Sequence, residues 1–127
     1  MPTGPEVNDD RYRNFRMSMQ GIATEVGTAT AASAAATLND LVGLITTEAL
    51  TTAQNAIYAL VLTNDKIAAG DLVFAVVRDG TNTQGTPMIG QIKPAASSVT
   101  IEVINKHASA EALNGTLEIG FFVVKAL

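Results

Sequence analysis

At 127 residues the chain has the size of one domain and can bury a core without staples, and with no cysteine it has neither a disulfide nor a thiolate metal site. Charged residues make up 16%, below the usual quarter or so, and apolar residues 47%, with alanine prominent among them, so the surface is either covered in part by something else or made polar by Thr, Ser and Asn. The net charge of −4 argues against a nucleic-acid partner, whose affinity comes from cations that release counterions, and no apolar run approaches the ~18 residues of a membrane-spanning helix.

Residues 1–20 read as an extended N-terminal arm. Pro2, Gly4 and Pro5 discourage regular structure, and Arg11, Arg13 and Arg16 balance Glu6, Asp9 and Asp10. The start lacks the basic stretch followed by an apolar run that marks a secretory signal. Residues 21–40 are rich in Ala and Thr. The alanines would accept a helix, but Thr28, Thr30 and Thr37 favour extended chain, and no large apolar stripe is present. This segment is expected to be an extended connection or a first strand, with the sandwich domain proper over 41–127.

From residue 41 strands are expected over 42–50, 56–63 and 72–77, with turns at Asn64-Asp65 and Asp79-Gly80. A short strand over 88–92 is expected to stop at Pro94. Residues 99–104 alternate apolar and polar, and Leu117 to Val124 follows after a polar loop closed by Gly115, which reads as an antiparallel pair. About seven strands with frequent turns predict an all-β fold, an antiparallel β-sandwich of jelly-roll type. In the last strand Leu117, Ile119, Phe121 and Val123 share the core face. Phe122 and Val124 are too apolar for a solvated opposite face, so a neighbouring segment or another subunit must cover them, and they are the candidate subunit interface.

The chain offers little chemistry. His107 is the sole histidine and sits in a polar loop without a nucleophile elbow or an orienting frame, so no catalytic set is expected. Acidic residues are scattered, so no metal site is expected, and the glycines lack the strand–loop–helix setting of a phosphate cradle, so no cofactor is expected. Sugar platforms use exposed aromatics, yet there is no Trp, and Tyr58 in mid-strand belongs to the core. The concentrated recognition chemistry is Arg11, Tyr12, Arg13, Phe15 and Arg16, where guanidinium forks alternate with rings that can anchor in apolar pockets.

Leu44 to Ala53, Tyr58 to Asn64 and His107 to Ile119 together resemble small structural proteins of tailed bacteriophages, in particular head decoration or cement proteins. The resemblance implies a sandwich on the outer surface of the virion capsid, made in the host cytoplasm and assembled as a homotrimer that bridges subunits of the major capsid protein. The arm would then be the capsid-binding element, with no membrane or nucleic-acid partner. Phage fibre and tail attachment domains, which bind a host glycan or protein, share similar architecture and form the alternative.

Overall fold

The computed structural model describes residues 26–126. Eight strands follow one another: β1 (Gly27–Thr30), β2 (Ala35–Thr37), β3 (Val42–Thr46), β4 (Ile57–Thr63), β5 (Leu72–Asp79), β6 (Pro87–Ala95), β7 (Ser98–Asn105) and β8 (Leu117–Val124). They form two four-stranded sheets in the orders β1-β3-β8-β5 and β2-β4-β7-β6. Between them lies one core, because alternate residues of each strand point inward. Ile45, Leu117, Ile119 and Phe121 come from the first sheet, and Leu60, Leu62, Val99, Ile101 and Val103 from the second. Phe121 fits because Gly43 has no side chain: a Cβ there would stand 2.7 Å from the ring.

The alanines find their place at the narrow edge of this core. Ala31 and Ala36 are buried, and Ala29 and Ala34 pack beside them. Residues 27–37 therefore belong to the sandwich, as one edge strand for each sheet.

The chain changes sheet at every connection except the turn between β6 and β7. Two successive crossings return it to the first sheet in its original direction, which is why β1 pairs with β3 in parallel, and β2 with β4 likewise. The other four pairings are antiparallel. Eight strands in two sheets match the jelly-roll count, but the two parallel edge pairs depart from a wholly antiparallel design.

Two expectations need correction. Residues 99–104 and 117–124 do not pair with each other: β7 bonds to β4 and β6, and β8 to β3 and β5. Alternation identifies a core face, and these strands present theirs to the same core from opposite sides. The other correction concerns Pro94, which lies inside β6 opposite Val99. At the edge of its sheet β6 needs backbone donors on one side only, so a residue without an N–H is tolerated.

The loops around this framework are held by buried amides. Asn105 is fully buried at the end of β7. Its Nδ2 donates to the carbonyls of Thr52 (3.0 Å) and Glu111 (2.7 Å), and its Oδ1 accepts from the N–H groups of Thr86 (3.0 Å) and His107 (3.2 Å). Three loops thus meet at one side chain. Asn105→Leu removes the partner of the Thr86 and His107 N–H groups and of the Glu111 carbonyl, while the Thr52 carbonyl keeps Leu113 N (3.0 Å), and with ~1–3 kcal/mol for each of the three unsatisfied groups the loss of stability should reach about 3 kcal/mol in a denaturant titration. A loss below ~1 kcal/mol would mean that the loops hold without it.

Candidate interaction surface

Outward from the core, the first sheet presents cross-strand rows set by its register. Leu72 lies opposite Val124; Phe74 lies opposite Phe122, which in turn lies opposite Val42; Val76 and Leu44 flank Gly120; Arg78 lies opposite Glu118, which lies opposite Thr46. On β3, β8 and β5 three consecutive rows carry only apolar residues or glycine, and β1 adds Thr28 beside Leu44. Phe122 and Val124 are 46% and 45% exposed, so no described segment covers them, and Val76 is 69% exposed. The rings of Phe74 and Phe122 stack with centroids 4.8 Å apart and planes within 12°. Beside this ridge runs a groove of about 590 Å³, with Gly120, Leu44, Val76 and Val26 among its lining residues.

Gly120 is not required by crowding. A Cβ there would make ordinary contacts, 3.4 Å from Val76 and 3.9 Å from Leu44. A glycine inside a strand weakens it and marks places where another backbone or ligand comes close. Here it leaves a dip beside a ridge.

Ion pairs bound the face at both ends. Arg78 Nε lies 2.6 Å from Glu118 Oε1. At the other end Asp71 accepts from Lys125 Nζ, from Ala126 N (2.9 Å) and from Ala68 N (2.8 Å), which fastens the chain beyond β8 to the start of β5. The Lys125 ammonium, helped by those two N–H groups, holds the Asp71 carboxyl down at about 2.

The polar clusters elsewhere serve the fold. Tyr58 is a core residue whose Oη donates to Glu48 Oε1 (2.7 Å), while Glu48 Oε2 accepts from Ala34 N (2.7 Å). Burial raises the Tyr58 phenol above its ordinary value, and the Glu48 carboxylate adds to the effect. Burial opposes ionisation of Glu48, but the hydrogen bonds it accepts prevail and lower it. This carboxylate pins a turn in which Ser33 and Ala34 adopt positive φ of 51° and 60°.

His107 is tied into its loop, with Nδ1 3.0 Å from Thr86 Oγ1 and Nε2 3.7 Å from Glu111 Oε2. Glu111 Oε1 in turn accepts from Gly85 N at 2.8 Å. Hydroxyl, imidazole and carboxylate stand in line, but on loops away from the groove, where they brace the turn before β6 against the segment after β7. Among the described residues no group of three or more His, Cys, Asp or Glu is placed to hold a metal ion, and every buried side-chain nitrogen and oxygen has a partner.

Of the residues singled out in the sequence, Phe122 and Val124 thus fall on one face, and Arg11, Tyr12, Arg13, Phe15 and Arg16 lie outside the described residues. Sequence reasoning missed Leu72, Phe74 and Val76, which complete the face. The signal was there, since Leu72 to Val77 is apolar at both alternating sets of positions. Compared with known proteins, the chain matches no family model, no curated protein and no solved structure.

Asp71 gives a pH signature. A carboxyl whose folded value lies below its unfolded one near 4 contributes its full stability above that unfolded value and loses it as pH falls toward 2. The melting temperature of Asp71→Asn should lie below that of the parent at pH 6 and converge on it between pH 4 and 2. Parallel curves across that range would show that the clamp contributes no pH-dependent stability.

Proposed function

We propose that this chain is a structural virion protein, a decoration or cement protein that binds the outside of a tailed-phage head as a homotrimer and stabilises it by bridging subunits of the major capsid protein. The observation that carries the reading is the contrast between a broad apolar sheet face and polar groups that satisfy one another within the fold. Such a molecule is suited to contact over area rather than to chemistry on a small ligand. The resemblance of Leu44 to Ala53, Tyr58 to Asn64 and His107 to Ile119 to phage structural proteins supports the same conclusion.

A cement protein needs a rigid body and several attachment points. Three linked copies raise the effective concentration of each contact, so modest contacts together hold firmly. Residues Arg11, Tyr12, Arg13, Phe15 and Arg16 supply the forks and rings for a capsid contact.

Purified protein added to expanded heads that lack it should bind saturably and raise their melting temperature. Deleting residues 1–20 should leave the sandwich folded and weaken head binding at least about tenfold, the loss of a few anchoring contacts. Binding to host cells with no effect on heads would overturn the cement reading and make the chain an attachment domain.

A further inference from the structure

The loop before β8 holds a reactive dipeptide that the proposed function leaves unused. Asn114 is the one asparagine of the chain followed by glycine. In such a pair the glycine nitrogen can attack the asparagine Cγ and close a succinimide ring, since no side chain on the glycine hinders the approach.

Packing imposes both residues. A Cβ at Gly115 would stand 2.7 Å from Asn82 N and from the Thr81 carbonyl carbon, which are backbone atoms with little room to yield. Asn114 N donates to Asn82 Oδ1 at 2.8 Å. The Asn114 carboxamide is bound to Thr83 through both polar atoms: Oδ1 accepts from Thr83 N and Nδ2 donates to Thr83 Oγ1, each at 2.8 Å.

Two glycine amides of this region differ in how they are held. Gly80 N, which follows Asp79, donates to the Thr116 carbonyl at 2.9 Å and is withheld from the carboxyl beside it. Gly115 N has no acceptor among the described residues, although the residue is buried and its carbonyl accepts from Leu50 N at 2.9 Å. A buried N–H without an acceptor is uncommon in a native fold. The attacking nitrogen is thus free, and the bonds from its target to Thr83 are what restrain the reaction.

We propose that Asn114 is a site of spontaneous deamidation, locked in the closed fold by Thr83 and released when the strap 81–83 lifts from segment 114–116. The strap is fastened by Thr81 N to Thr116 Oγ1 and by Thr116 N to Thr81 Oγ1, each at 2.9 Å. These bonds and the two to Thr83 lie at the surface, so the opening is local. On release Gly115 N bonds to Asn114 Cγ while its proton passes through solvent to the amide nitrogen, which leaves as ammonia. Water then adds to one ring carbonyl and opens the succinimide to aspartate or isoaspartate. Aspartate keeps both bonds to Thr83, because a carboxylate accepts from N–H and O–H alike. Isoaspartate carries its Cβ in the backbone and lengthens the chain between Leu113 N, bound to the Thr52 carbonyl, and Gly115 O, bound to Leu50 N. That product detaches the loop before β8 from the segment between β3 and β4. The reaction needs no partner and stands apart from the proposed function.

Peptide mapping for isoaspartate at position 114, after incubating the purified full chain at mildly alkaline pH, tests the lock. The folded parent should react at least about tenfold more slowly than the chain in guanidinium, because reaction through an opened state follows its population. Thr83→Val removes a hydroxyl at an exposed position and should react at least about threefold faster than the parent, the worth of one modest hydrogen bond. Thr83→Ser keeps the hydroxyl and should match the parent. Asp71→Asn loosens the opposite end of β5 and should leave the rate unchanged. Equal rates in folded and denatured chains overturn the proposal, as does a Thr83→Val rate equal to the parent's. A rise with Asp71→Asn as large as that with Thr83→Val traces the reaction to global unfolding and overturns it as well. Isoaspartate at Asp79 in place of position 114 would put the reactive pair elsewhere.

Discussion

Burial of one side of β8 against the facing sheet is the interaction on which the remaining structure depends. Leu117, Ile119, Phe121 and Val123 alternate inward along its length, and the first three are almost wholly removed from water. At ~1.5–3 kcal/mol for each fully buried large apolar side chain, this strand alone contributes a sizeable share of the driving force. Its position between β3 and β5 means that the same residues also fix the register of three strands. Because side chains alternate, committing one side of β8 to the core commits Gly120, Phe122 and Val124 to the opposite side. The apolar outer face is thus a direct result of how the core is built.

Polar side chains do the work that regular structure cannot do in the loops. Thr47 Oγ1 accepts from Leu117 N at 2.9 Å and donates to the Glu48 carbonyl at 2.7 Å, joining the end of β3 to the start of β8. Asn82, buried between β5 and β6, donates to Asp79 Oδ1 and to the Gln84 carbonyl and accepts from Asn114 N. Together with Asn105 these groups replace a ladder of backbone bonds over long connections that would otherwise leave donors and acceptors unpaired. The loops are therefore rigid supports for the sheets.

Much of the fold was legible because a period of two is unambiguous when one side of a strand is buried. β4, β5, β7 and β8 could each be read from their own residues. Pairing could not, because alternation is a property of one strand and sheet membership a property of two; β7 and β8 show this most plainly. Pro94 misled for a related reason, since its cost depends on whether a second neighbour exists. At the candidate surface, Phe122 and Val124 stood out as apolar residues on a side that should have been polar. Their neighbours on β5 were equally apolar but lay more than 40 positions away in sequence, and only the register of β8 against β5 brings the two sets together.

The central place of β8 has a consequence for the order of events during synthesis. β5 must wait for β8, its one neighbour in the sheet, since Phe74 pairs with Phe122, and β3, already beside β1, gains its second neighbour only then. Until residue 124 has left the ribosome, the first sheet lacks one of its two interior strands. Long-range pairing of this kind closes late, because the entropy of the intervening chain must be lost before any contact rewards it. The aromatic stack and the groove beside it come into being only at that closing step. Nascent chains crowded on one message therefore carry β3 and β5 before the strand that joins them into one apolar face.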